Sequence, residues 1–91
     1  MQQMQLNLDA PKASELFQYD SQNYALYSRI ASGGITNAEI VKELGIFSYT
    51  RRISDLREKL HPLLYDVKAE RIQKSLYRYT LVKIQIHQAA A

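Results

Sequence analysis

Residues able to contact a nucleic acid are concentrated in a short polar stretch just past the middle of the chain. The guanidinium of Arg51 can donate two parallel hydrogen bonds to the edge of a guanine, and the hydroxyls of Thr50 and Ser54 can bond to bases or to phosphate oxygens. Arg52 and Lys59 add positive charge to the same stretch. This combination favours contact with a nucleic acid, and its alternative is an ordinary solvated surface. For Arg52, bracing of its own element against a neighbour is an equal alternative.

Later in the chain, a second group of cations supplies the positive charge that phosphate contact requires. It consists of Lys68, Arg71, Lys74 and Arg78. For any single member of this group, the alternative is an ordinary solvated surface charge.

The net charge is also more positive in the later half of the chain. Residues 1–50 hold three basic and five acidic side chains, a net charge of −2, whereas residues 51–91 hold nine basic and four acidic ones, a net charge of +5. A positive C-terminal half indicates a polyanionic partner.

The sequence offers little for other kinds of chemistry. The absence of cysteine excludes disulfides, thiolate metal sites and cysteine nucleophiles, and it is typical of a reducing compartment. His61 and His87 are far apart in the chain and lack neighbouring ligands of zinc-site spacing. No nucleophile motif and no phosphate-binding glycine loop is present. We therefore expect no enzymatic activity, no metal and no cofactor.

Length and composition predict one soluble domain. A chain of 91 residues with 46% hydrophobic and 23% charged residues is long enough for one core. It contains no apolar run near the roughly 20 residues that span a bilayer, and its N-terminus lacks the layout of a signal peptide. We expect a protein of a reducing compartment that binds neither a membrane nor a small-molecule substrate.

The first half of the chain predicts two helices. The first begins at Asp20 or Ser21 and ends before Gly33-Gly34, because apolar residues recur in it at three- and four-residue spacing. The second begins at a capping box made by Thr36 and Glu39, which is flanked by the apolar pair of a hydrophobic staple, Ile35 and Ile40. Gly45 ends it, and its inward residues are Ile40, Val41 and Leu44.

A third helix is predicted from Tyr49 to Leu60, with Ser48 as its N-cap and His61-Pro62 after its end. At about 100° per residue its apolar and polar residues fall on opposite sides. We expect the acidic residues of this helix, Asp55 and Glu58, to form salt bridges with Arg51, Arg52 or Lys59. The alternative is that one of them accepts a hydrogen bond from a cytosine. The inward side comprises Tyr49, Ile53, Leu56 and Leu60, and the outward side comprises Thr50, Arg51, Ser54, Asp55 and Glu58.

Two strands are predicted after Pro62, over residues 64–69 and 76–82, because both stretches are rich in β-branched and aromatic residues. The polar segment between them contains no glycine, asparagine or proline, so we expect a turn longer than two residues. Tyr77 and Tyr79 share one face and are expected to pack inward with the other core tyrosines rather than to stack on bases. We also expect the alternating segments 5–8 and 84–86 to pair, with each other or across a dimer.

This order of elements predicts an α+β, mainly helical, winged-helix fold: a three-helix helix-turn-helix core followed by a β-hairpin wing. Residues 1–18 are expected to form a flexible arm, residues 19–83 the winged-helix domain, and residues 84–91 a strand extension and frayed tail. The third helix would enter the major groove, since a helix about 10–12 Å across fits a groove about 12 Å wide. The hairpin would reach neighbouring phosphates or the minor groove.

An ordered set of short motifs over residues 23–82 resembles the small helix-turn-helix (winged-helix) DNA-binding domain family of bacteriophage and prophage genes. At two places the chain departs from that pattern: Leu60 stands where a glycine is usual, and the wing tip has Arg71, Gln73 and Lys74 in place of a glycine. The matching motifs are Gly33-Gly34-Ile35-Thr36, Gly45-Ile46-Phe47, Arg52-Ile53, Leu56-Arg57, His61-Pro62 and Tyr77-Arg78-Tyr79-Thr80-Leu81.

The resemblance implies a sequence-specific double-stranded DNA-binding protein, either a small phage or prophage transcriptional regulator or an excisionase-type accessory factor. It also implies a location in the cytoplasm of a bacterial or phage-infected cell, in association with the nucleoid. The alternative is a phage winged-helix module that binds a protein and thereby inhibits or adapts a host complex. The acidic residues of the third helix and the low overall charge keep that alternative open. Double-stranded DNA is the expected partner, with a homodimer or a host protein as further possibilities.

Overall fold

A computed structural model of the chain describes residues 10–84. These residues form four helices and a three-stranded antiparallel sheet, which confirms the α+β class. The elements are α1 (Ala13–Leu16), α2 (Gln22–Ala31), β1 (Ile35–Thr36), α3 (Asn37–Leu44), α4 (Tyr49–Leu60), a 3₁₀ turn (His61–Leu63), β2 (Tyr65–Gln73) and β3 (Leu76–Lys83).

The N-cap of α2 is Ser21 rather than Asp20, because the Ser21 hydroxyl accepts a hydrogen bond from the Tyr24 N–H at 3.0 Å. The predicted glycine pair follows its end. Gly34 has a φ of +110°, and a Cβ at this position would lie 2.8 Å from Thr80 Cγ2. A glycine is therefore required here, because the backbone passes directly against β3.

The predicted capping box of α3 is confirmed. The Thr36 hydroxyl accepts from the Glu39 N–H at 3.1 Å, and the Thr36 N–H donates to Glu39 Oε1 at 2.9 Å. Ile35 and Ile40, the two residues of the predicted staple, are both fully buried. The helix ends at Gly45, which adopts the left-handed conformation. Local sequence signals therefore determine both ends of this helix.

The sheet has the strand order β1-β3-β2. The sequence did not predict β1, whose two residues pair with Arg78 and Tyr79 of β3. The expected long turn of the hairpin is wrong. Gln73 pairs with Leu76, so only Lys74 and Ser75 lie between the strands, and Ser75 adopts a positive φ of 66°. Residue 72 lies at an irregularity in the ladder just before this turn.

One hydrophobic core joins α2, α3, α4 and the sheet. The predicted inward side of α4 is confirmed for Ile53, Leu56 and Leu60, whereas Tyr49 is half-buried. The prediction for the tyrosines of β3 is correct for Tyr79 but wrong for Tyr77, which is 36% exposed. Tyr77 pairs with Arg71, in the part of the hairpin where β2 is exposed on both faces. The core consists of Leu26, Tyr27, Ile30, Ile35, Ile40, Ile46, Ile53, Leu56, Leu60, Tyr65, Val67, Tyr79 and Leu81.

Part of the expected N-terminal arm is packed against this core. Leu16 and Phe17 contact it, and the Tyr27 hydroxyl donates a 2.6 Å hydrogen bond to the Pro11 carbonyl. Burial, with smaller effects of Tyr65 and Glu15, raises the pKa of Tyr27 to about 12. Residues 10–17 were expected to belong to a flexible arm that ends at residue 18. They instead include α1 and pack against the core. The predicted pairing of segments 5–8 and 84–86 falls mostly outside the described residues.

Candidate nucleic-acid interface

The outward side of α4 is a continuous polar surface. Thr50, Arg51 and Ser54 are exposed, as are Glu58 and Lys59 farther along the helix. Between residues 10 and 84, no carboxylate lies within salt-bridge distance of Arg51. Because the opposite side of the helix is anchored in the core, these side chains are held outward on a rigid element. Their donors are thus available to an external partner.

Arg52 differs from its neighbours on α4 because it is engaged within the protein. Its Nη2 lies 3.4 Å from Asp55 Oδ2, and that oxygen also accepts a 3.4 Å hydrogen bond from Asn23 of α2. The side chain of Arg52 is only 24% exposed. The bracing role that was one of two alternatives for Arg52 thus describes its position better than contact with phosphate. The salt bridge expected for Asp55 is present.

The predicted hairpin cations are divided between two faces of the sheet. Residues directly opposite each other in an antiparallel pair share a face, and successive residues alternate. Arg71 pairs with Tyr77 and therefore lies on the same face as the buried Tyr79. Lys68 and Arg78 lie on the other face, and Lys74 lies in the turn. All four side chains are exposed.

Acidic neighbours further distinguish Arg78 from the other hairpin cations. It stands opposite Glu70 in the ladder. The pKa of Glu39 is lowered, principally by the hydrogen bond from the Thr36 backbone and to a smaller extent by the charges of Arg78 and Arg29. Carboxylates therefore offset part of the charge of Arg78. Arg71 and Lys74 lie nearer the tip, and neither has a carboxylate opposite it in the ladder.

Asn37, the first residue of α3, connects the hairpin tip to the start of α4. Its side-chain nitrogen donates to the Ser75 carbonyl at 3.0 Å, and its oxygen accepts from the Tyr77 N–H at 3.1 Å. The same nitrogen lies 3.4 Å from the Tyr49 hydroxyl. The amide thus continues the β1–β3 ladder with side-chain atoms. The sequence did not predict a role for Asn37, because nothing in its immediate neighbours indicates partners 38 and 40 residues away.

A second polar cluster fixes the other end of α4 to β2. His61 Nε2 lies 2.9 Å from Asp66 Oδ1, Arg57 Nε lies 3.4 Å from the same oxygen, and Arg57 Nη2 donates to the Val67 carbonyl at 2.8 Å. Burial alone would raise the pKa of Asp66. The hydrogen bonds from His61 and the Val67 N–H, together with the charge of Arg57, outweigh burial and hold that pKa below its usual range. Both ends of α4 are therefore tied to the hairpin.

Phe47, which lies in the turn between α3 and α4, is another residue whose role the sequence did not predict. Its ring is 79% exposed, the largest value among the exposed large hydrophobic residues of the described part. Its neighbour Ile46 is 1% exposed and belongs to the core. The turn therefore directs one apolar side chain inward and the next into solvent. Only its place in the Gly45-Ile46-Phe47 motif marked this position.

The described residues contain neither a metal-ligand cluster nor a membrane-spanning helix. Over residues 10–84, no three His, Cys, Asp or Glu side chains are grouped so that they could hold a metal ion. In the same range no helix has the length and apolar character needed to cross a membrane. No protein-family model matches the chain, and neither a curated protein nor a solved structure matches it significantly.

Proposed function

We propose that this protein is a sequence-specific double-stranded DNA-binding protein whose fold is a winged helix. In this interpretation α2, α3 and α4 form the helix-turn-helix core, α4 is the recognition helix, and the β2–β3 hairpin is the wing. The placement of β1 between α2 and α3 and the strand order β1-β3-β2 support this description. The short α1 is an addition that precedes it.

The observation that carries the proposal is the outward side of α4. Thr50, Arg51 and Ser54 present hydroxyl and guanidinium donors from the N-terminal half of a helix whose other side is buried. A helix about 10–12 Å across fits a major groove about 12 Å wide. Recognition helices present their N-terminal residues to the base edges. Arg51 is thus the residue we assign to direct contact with a base, in particular guanine.

The wing supplies phosphate contacts in this proposal. Arg71 and Lys74 extend from a hairpin tip that Asn37 holds beside α4, so helix and wing can engage one duplex together. Lys68, on the other face of the hairpin, adds positive charge to the wing. Contacts to phosphate increase affinity for every sequence, whereas contacts to base edges distinguish one sequence from another. We therefore assign affinity mainly to the wing and specificity mainly to α4.

As its biological role we propose regulation of phage or prophage transcription, or an excisionase-type accessory function in recombination, within the cytoplasm. This part rests on the motif resemblance over residues 23–82. Both roles require a defined DNA site, so both are consistent with a recognition helix that carries base-reading donors. A homodimer would double the length of the site that is read.

Selection of bound duplexes from a random library, followed by affinity measurements at several salt concentrations, tests the proposal. With about four to six phosphates contacted, the logarithm of the affinity is expected to fall against the logarithm of the salt concentration with a slope of about −4 to −5. The double variant Arg71→Ala/Lys74→Ala is expected to weaken all duplexes alike and to reduce this slope by about one unit per lost contact. Absence of binding to any duplex at low salt, or a flat salt response, contradicts the proposal.

One observation favours the protein-binding alternative. Phe47, Ile72 and Tyr77 are exposed apolar residues near the start of α4 and at the hairpin tip, with exposed fractions of 79%, 48% and 36%. Exposed apolar residues that together form a contiguous patch are typical of surfaces that bind proteins. A host-protein pull-down beside the duplex selection separates the two functions. Specific capture of a host protein together with no selected DNA site would favour the alternative.

A further inference from the structure

Phe47 occupies the end of α4 that the proposed function directs toward DNA. It lies three and four residues before Thr50 and Arg51, which are exposed on the outward side of the helix. Its backbone is fixed on one side by Ile46, which is buried and whose N–H donates to the Ile40 carbonyl at 3.3 Å. The backbone at Phe47 is therefore fixed next to the core, while its ring is exposed just before the N-terminus of α4.

The protein itself gives this ring little to contact. The aromatic pairs found in residues 10–84 join Phe17 with Tyr27, Tyr19 with Tyr24, and Tyr49 with Tyr79, and none includes Phe47. Tyr19, which is 73% exposed, rests against Tyr24 with ring centroids 5.0 Å apart. Phe47 has no such neighbour among the described rings. An exposed ring at this position gains most from a partner that offers an apolar group.

In the major groove, the C5 methyl of thymine is the apolar group that side chains contact. We propose that Phe47 is a specificity-determining residue that contacts a thymine methyl at the edge of the DNA site, beside the base read by Arg51. This inference rests on the proposed DNA-binding function. It goes beyond that function by naming a second contact residue and the chemical group it recognises.

Replacement of thymine by deoxyuridine tests the contact, because it removes only the methyl group. Each thymine of a duplex selected by the wild-type protein is replaced in turn, and affinities are measured for wild type and for Phe47→Ala. At one position we expect deoxyuridine to weaken wild-type binding about fourfold, which corresponds to the burial of one methyl-sized group. Phe47→Ala is expected to bind the thymine duplex more weakly by about the same factor or more, and to be indifferent to the replacement.

Two further variants separate this contact from a general loss of apolar surface or of structure. Phe47→Leu keeps an apolar side chain and is expected to retain most of the sensitivity to the methyl. Tyr19→Ala removes another highly exposed aromatic residue, one that precedes α2, and is expected to bind both duplexes as wild type does. Since Phe47 is exposed, Phe47→Ala is expected to have the melting temperature of the wild type.

The inference and the proposed function fail in different ways. If wild type binds a selected duplex but no deoxyuridine replacement weakens it, the thymine contact is overturned while DNA binding stands. The same holds if the effects of Phe47→Ala and deoxyuridine simply multiply at every position. If Phe47→Ala leaves DNA binding unchanged but abolishes capture of a host protein or a dimer, the ring serves a protein partner and the inference is overturned. If wild type binds no duplex, both the function and the inference fail.

Discussion

Truncation of Asn37 is expected to loosen the hairpin from the helices. The variant Asn37→Ala removes the bonds to the Ser75 carbonyl and the Tyr77 N–H, which are 3.0 and 3.1 Å long. A hydrogen bond contributes a net 0.5–1.5 kcal/mol, about 1 kcal/mol on average. Both bonds are exposed, so water can replace the lost partners. We therefore expect a loss of about 1–2 kcal/mol in the free energy of unfolding.

Chemical denaturation and amide hydrogen exchange measure this effect globally and locally. In a domain of this size, each 1 kcal/mol lowers the melting temperature by roughly 4–8 °C. The amide of Tyr77 loses its acceptor and is expected to exchange faster. Asn37→Asp keeps an acceptor for the Tyr77 N–H but not the donor to Ser75, so we expect an intermediate loss. Lys42→Ala, at an exposed position on the same helix, serves as the control.

An unchanged free energy of unfolding together with an unchanged exchange rate for the Tyr77 amide would refute this reasoning. It would show that the β1–β3 and β2–β3 ladders alone hold the hairpin tip. Equal losses for Asn37→Asp and Asn37→Ala would instead show that the bond to the Ser75 carbonyl carries the whole effect. In that event the account of Asn37 as a bidentate extension of the ladder would be wrong.

Two further predictions concern the backbone and acid stability. The strain of a side chain at positive φ costs about 1–3 kcal/mol. Gly34→Ala is expected to lower the free energy of unfolding more than Gly33→Ala, because only the Cβ at position 34 would meet Thr80 Cγ2, at 2.8 Å. Equal melting temperatures for the two variants would contradict this. Because the pKa of Asp66 is lowered in the folded protein, its contribution to stability is complete above the unfolded value of about 3.9 and is lost as the pH falls through the folded value. Asp66→Asn is expected to remove the contribution of Asp66 to the pH dependence of the free energy of unfolding. If, below the unfolded pKa of about 3.9, the free energy of unfolding of the variant falls with pH as steeply as that of wild type, this prediction is contradicted.

Local signals in the sequence predicted α2, α3 and α4, whereas α1 lies in the segment expected to be a flexible arm. The predicted N-cap of α4, Ser48, makes no side-chain capping bond. The capping box of Thr36 and Glu39 and the left-handed Gly45 act within a few residues, so the chain itself indicates where α3 begins and ends. The inward side of α4 follows from helical periodicity alone, which is why Ile53, Leu56 and Leu60 were predicted correctly. These features depend on neighbours along the chain.

Features that depend on distant partners were not predicted. The strand β1 is two residues long and exists only because β3 pairs with it. The tight turn at Ser75 lacks a glycine, and Asn37 supports it from another element. Tyr77 is exposed because it lies near the hairpin tip, where β2 is exposed on both faces, and alternation within a strand does not reveal this. Of the candidate site, periodicity gave the outward side of α4 but not the division of the hairpin cations between two faces.

The effect of Arg51→Ala on the ratio of affinities for a selected and an unrelated duplex tests the central claim most directly. Arg51 is exposed, so the variant is expected to fold as wild type does. We expect a loss of about 1–3 kcal/mol on the selected duplex and a much smaller loss on the unrelated one, so that the specificity ratio narrows. Lys83→Ala removes an equal charge far from the hairpin tip and is expected to leave the ratio unchanged. An equal loss for Arg51→Ala on both duplexes, or none on either, would contradict the claim that α4 reads the base sequence.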